Sequence, residues 1–115
     1  MPEGVSVSEV SSPKDLKGFV ELPYRLYAGD ADFVPPLRSD VRWMLDPAKN
    51  PFWMHARRTL LFARRGDRVV GRIATIVDDE HNRVHADRTA FFGFFECEND
   101  PEAARALFAA AETAA

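Results

Sequence analysis

The sequence predicts a mixed α+β fold in the order β-α-α-β-β-β-α, with a largely antiparallel sheet and flanking helices. Three observations predict it. Two apolar runs, 57–64 and 68–77, are separated by the turn residues Arg65-Gly-Asp67, which is the spacing of a β-hairpin. The second run is partly apolar on both faces, so helices are expected on both sides of the sheet. At Asn99-Asp-Pro101 the chain changes from phenylalanine-rich to alanine-rich, which reads as strand, tight turn and helix.

Taken in order, Val5 and Val7 alternate with Ser6 and Ser8, a short half-buried strand through about Val10. Ser12 is placed to cap a helix, with Pro13 in its first position and Asp15 three residues after the cap. Leu16, Phe19, Val20, Leu26 and Tyr27 form its apolar face, and it is expected to end near Gly29. Pro23 lies inside it. The missing N–H leaves the Phe19 carbonyl without its donor, so a kink or split is expected there, with an opening beside Tyr24 and Tyr27 that suits an acceptor substrate. Residues 30–36 form a turn with two prolines. A short helix follows, with Leu37, Val41, Met44 and Leu45 on one face and Pro47 as its stop.

Residues 50–55 are an aromatic loop without a period. It reads either as a plug over the sheet or as a pocket wall, and in the second reading Trp53 and His55 touch substrate. In the strand 68–77, Val69, Ile73 and Val77 are assigned to one face and Val70, Ala74 and Ile76 to the other. The hairpin arginines, Arg72 among them, read as a solvated face. Residues 78–87 read as a polar loop. Its His81 and His85 are assigned to a solvated connection rather than a metal, since no third ligand is fixed. The fourth strand, about 88–96, carries Phe91, Phe92, Phe94 and Phe95 around Gly93, a run expected to be buried on both faces. Asn99 or Asp100 caps the last helix, which begins with Pro101 and Glu102.

A chain of 115 residues suits a single domain. Its net charge of −3 gives no reason to expect a nucleic acid or a membrane as partner. No apolar run reaches the length of a bilayer span, no signal peptide is evident, and the lone Cys97 cannot form an internal disulfide. A cytoplasmic setting is the expectation. The last helix reaches Ala115 without a stop signal, which reads as a truncated chain.

Six tracts together resemble the first half of the GNAT N-acetyltransferase fold, and more sharply one branch of GNAT-like proteins. They are Leu22-Pro-Tyr-Arg-Leu-Tyr27, Phe33-Val-Pro-Pro-Leu37, Leu45-Asp-Pro-Ala-Lys-Asn-Pro-Phe52, Val70-Gly-Arg-Ile73, His81-Asn82 and Phe91-Phe-Gly-Phe-Phe-Glu96. The resemblance implies an acyl-CoA-dependent N-acyltransferase that uses acetyl-CoA or another acyl-CoA and a small-molecule or protein amine as acceptor. It implies that Phe94, Phe95, Glu96 and Cys97 run beside the pantetheine arm at a strand bulge. It places Ala103 and Ala104, at the start of the last helix, near the pyrophosphate, although Asp100-Pro-Glu102 enters that helix without the usual glycine loop. Glu96 is the candidate base; Glu98 lies close by. Cys97 reads as a buried structural thiol. The alternative is a non-catalytic GNAT-like binding or dimerisation module, or a truncated remnant. The phenylalanine-rich strand has an edge that invites a homodimer.

Overall fold

The computed structural model describes residues 4–34, 36–86 and 88–114. Pro35, Asp87 and Ala115, which fall in stretches assigned above, lie outside the described residues. The elements are β1 (Val5–Glu9), α1 (Pro13–Leu26), α2 (Arg38–Leu45), a 3₁₀ turn (Pro51–Met54), β2 (Ala56–Arg65), β3 (Arg68–Asp78), α3 (Asp79–His85), β4 (Phe91–Cys97) and α4 (Pro101–Ala114). The four strands form one sheet in the order β1-β2-β3-β4, with every neighbouring pair antiparallel. The fold is the mixed α+β arrangement that the sequence predicts.

Helices cover both faces of the sheet. On one face Phe19 and Val20 of α1, with Val41 and Leu45 of α2, pack on Leu60, Phe62 and Ala74. On the other, Ala103, Leu107 and Ala111 of α4 pack on Leu61, Ala63, Val70 and Ile73. α1 begins as expected: the Ser12 hydroxyl accepts from the Asp15 N–H at 3.0 Å, and Pro13 opens the helix.

Five expectations need correction. Residues 78–87 are not a loop throughout. α3 forms because the Asp78 carboxylate accepts from the Glu80 and His81 N–H groups, Glu80 pairs with Arg83, and Ala86 closes the helix in the left-handed region at φ 52°. Capping supplies what the missing apolar face does not. Second, Pro23 does not split α1; the helix runs through it and ends within one turn of it, at Leu26, before the chain turns through Gly29 at φ 86°. Third, the apolar face of α2 is narrower than assigned, because Leu37 is 67% and Met44 39% exposed. Fourth, β4 is not buried on both faces: Phe91 and Phe92 are 45% and 60% exposed, and the remainder is half-buried.

The fifth correction concerns β3. Ala63 pairs with Gly71 and Arg64 with Val69, so Val70 is an extra residue between them. This bulge resets the alternation. Val69 joins Ala74 on the α1 side, and Val70 joins Ile73 under α4. A second bulge faces it in β4. Arg72 pairs with Glu96 and Ala74 with Gly93, so Phe94 and Phe95 together oppose Ile73. Phe94 takes φ 55° and turns to the α1 side, while Phe95 packs on Phe108 of α4.

Candidate functional site

The bulge in β4 brings the end of α1 and the end of β4 together. Pro23 contributes no N–H, and Arg72 fills the vacancy, because its Nη1 donates to the Phe19 carbonyl. Its Nε donates to the carbonyl of Phe94 at 2.9 Å. The guanidinium carbon also lies 4.8 Å from the centre of the Phe19 ring and 5.8 Å from that of Phe94. Arg72 is 4% exposed, so its assignment to a solvated face is wrong. Burial lowers its pKa to about 10, opposed chiefly by the Glu96 charge, and it stays cationic at neutral pH.

Glu96 is opposite Arg72 in the register and faces α1. The Tyr27 hydroxyl, just past the end of α1, donates to Glu96 Oε2 at 2.6 Å. That bond, then burial, raises the Tyr27 pKa above the ordinary tyrosine value. Phe33 stacks on the Tyr27 ring with centroids 4.8 Å apart and fixes its plane. Beside this pair opens a cleft of about 440 Å³ lined by Arg25, Leu26, Tyr27, Cys97, Glu98 and Asn99. Glu98 is held by Arg68 and by Arg25, the latter at 3.4 Å, so it closes the strand as an ion-paired residue. The Cys97 thiol is pushed up by burial and by Asp100 and Glu98, which keeps it protonated and suits a packing role.

The structure thus brings together Tyr27, Glu96 and Phe94 among the sequence-derived site residues. Tyr24 stands one turn back on α1, its hydroxyl donating to the Pro36 carbonyl and its ring covered by Arg38 at 3.8 Å. Trp53 and His55 lie elsewhere. Trp53 donates to the Met44 carbonyl at 2.7 Å, and His55 Nδ1 meets Asp78 Oδ1 at 2.9 Å. Asp78 and Arg72 are six residues apart along β3, about 20 Å at strand rise. Trp53 and His55 therefore belong to a different part of the surface from the Tyr27–Glu96 pair.

At the start of α4 the backbone is already engaged. Asp100 Oδ1 accepts from the Ala103 N–H at 3.1 Å, and the Asp100 carbonyl accepts from the Ala104 N–H at 3.0 Å. Arg65 grips the same carboxylate at 2.6 Å and holds its pKa down to about 2. Ala103 itself is fully buried under the sheet. An anion reaching Ala103 and Ala104 would have to displace a carboxylate that is already bound there.

Two curated proteins match the chain. A bacterial ceramide synthase from Caulobacter vibrioides is 39% identical over 109 residues, covering 94% of this chain and 28% of that protein. Protein YghO from Escherichia coli is 36% identical over 98 residues, covering 85% of this chain and 25% of that protein. The chain therefore spans about a quarter of the length of these relatives. No family model matches it, and no solved structure matches it significantly.

Sequence reasoning reached Glu96 and Tyr27 and missed Arg72. The signal for Arg72 was present in two places: an arginine between apolar residues in Val70-Gly-Arg-Ile73, and a proline inside a helix that leaves a carbonyl free. Among the described residues no group of three His, Cys, Asp or Glu side chains is arranged to hold a metal, and no helix is long and apolar enough to cross a membrane.

Proposed function

We propose that these residues carry the amine-activating side of a GNAT-like N-acyltransferase. The observation that carries the reading is the Glu96 carboxylate at the β4 bulge, with Oε2 held by Tyr27. A carboxylate fixed through one oxygen has the other available to take a proton from an amine. Loss of that proton makes the amine nucleophilic towards an acyl group. The name of the Caulobacter relative supports the same chemistry, because a ceramide is an amide formed from a long-chain amine and an acyl group. A lipid amine is accordingly the acceptor class put forward.

The acyl donor implied by the resemblance is an acyl-CoA, which would supply the acyl group. The start of α4 does not fit its pyrophosphate, because Asp100 occupies the N–H group of Ala103 and adds a negative charge. No donor contact is assigned there. This observation favours, as a second reading, a GNAT-like binding module without catalysis.

A chimera separates the two. The 109-residue matching stretch of the Caulobacter protein is exchanged for the corresponding residues of this chain, and ceramide is measured by mass spectrometry. Ceramide formation that falls about 10²–10⁴-fold with Glu96→Gln is the expected result. A folded, active chimera indifferent to Glu96→Gln overturns the role of Glu96. A folded chimera that makes no ceramide favours the binding module.

A further inference from the structure

Two backbone carbonyls near the site have lost their ordinary partners for unrelated reasons. Phe19 O lacks its helical donor because residue 23 is proline. Phe94 O is turned off the strand ladder by the bulge and the positive φ of its residue. One side chain from a third element, Arg72 of β3, answers both. A buried guanidinium has a large desolvation cost, and it is found where its planar, multi-donor geometry is used. Here the guanidinium carbon lies 4.8 and 5.8 Å from the centres of the Phe19 and Phe94 rings, which are themselves 6.4 Å apart, and its donors join α1 to β4.

We propose that Arg72 is a positioning residue for the Glu96–Tyr27 pair, locking the β4 bulge to α1 and so fixing where the carboxylate and the phenol meet. The assignment rests on the acyltransferase reading only for what the pair does; the geometry it concerns exists without substrate. Tyr27 follows α1 directly, and Glu96 follows the bulge directly, two residues after Phe94, so Arg72 holds a carbonyl in each of the two segments that carry the pair. A lysine in the same place keeps the charge, but its single ammonium lacks the fork that spans two carbonyls on different elements. A methionine fills the space and removes both donors.

The test is the titration of Tyr27 in the intact chain, followed by NMR of ¹³Cζ-labelled tyrosine. The chain has two tyrosines, and Tyr24→Phe assigns the signals. The groups acting on Tyr27 are Glu96 and Asp30, which raise its pKa, and Arg72, which lowers it, with the Glu96 hydrogen bond the largest. Geometry and charge alone therefore give shifts of opposite sign for Arg72→Met. If Arg72 sets the geometry, Arg72→Met and Arg72→Lys both break the bond to Glu96, and the Tyr27 titration falls towards the ordinary tyrosine value. If Arg72 acts only as a charge, Arg72→Met leaves the bond and raises the titration further, while Arg72→Lys leaves it unchanged. If it only fills space, neither variant lowers the titration. Either of the last two results overturns the proposal. Should Arg72→Met fail to fold, Arg72→Lys decides. A measurement on the wild-type chain is independent of both: the Arg72 guanidinium hydrogens should exchange slowly, and exchange at the rate of a solvated arginine overturns the proposal by itself. None of these readouts uses catalysis, so their outcome is separate from that of the chimera.

Discussion

Gly71 lies in β3 opposite Cys97 and directly beneath α4, and alanine there tests how tightly the sheet carries the site. A Cβ at this position would lie 2.8 Å from Leu107 Cδ1, 2.9 Å from Cys97 Sγ and 3.2 Å from the Glu96 carbonyl oxygen. The first two atoms are side-chain ends, but Leu107 is fully buried in the cluster under α4. The third is backbone, so relief requires β4 itself to shift. Overpacking of this kind costs about 1–3 kcal/mol. Replacing glycine recovers about 0.4–1 kcal/mol by restricting the unfolded chain. Gly71→Ala is therefore expected to lose about 1–2 kcal/mol in urea denaturation followed by circular dichroism, with an unchanged m-value. Leu107→Ala alone should lose about 2–5 kcal/mol, and in that background Gly71→Ala should cost less, by a coupling of about 0.5–3 kcal/mol. An equal cost in both backgrounds, or a Gly71→Ala chain as stable as wild type, refutes the packing argument.

Three further outcomes are expected. Asp100 has a depressed pKa, so the stability it contributes is present above the ordinary carboxylate range and is lost as pH falls from about 4 to about 2. The difference in melting temperature between wild type and Asp100→Asn should close across that window, and a gap that persists at pH 2 contradicts the assignment. Because Asp100 already occupies the start of α4, calorimetric titration of the 115-residue chain with CoA or acetyl-CoA should show no micromolar binding; a micromolar dissociation constant would overturn that reading of the helix. β4 is an edge strand with Phe92 exposed, so the chain should self-associate in sedimentation velocity and become monomeric with Phe92→Lys. Identical profiles for the two chains would place any association elsewhere.

The parts of the fold that follow from local chemistry were legible in the sequence. Gly66 and Asp67 mark the hairpin, Ser12 and Pro13 mark the start of α1, and Pro101 marks the start of α4. What was not legible depends on register. Period-two reading cannot anticipate Val70 as an extra residue, because the bulge is specified by what Ala63 and Gly71 meet across the sheet. α3 was missed because a seven-residue helix held by Asp78 and Ala86 has no apolar stripe to detect. At the site, the carboxylate could be found from its position on the strand, and Tyr27 from its position near Pro23. Arg72 left two separate traces, its apolar neighbours and the carbonyl freed by Pro23, but what joins them is a pair of contacts with α1 and β4 that exist only once the chain has folded.

Pro23 has a consequence for anyone who sets out to make this chain more robust. A survey for unfavourable residues would select it early, since proline inside a helix carries a penalty of about 3 kcal/mol and alanine is the usual remedy. The repaired helix would give the Phe19 carbonyl a donor of its own, and the arginine that now depends on that oxygen would have a competitor. Stabilising α1 would then loosen its tie to β3, and a gain in melting temperature could accompany a poorer junction between helix and strand. Engineering that treats each helix separately would miss this, because here the defect in one element is the attachment point for another.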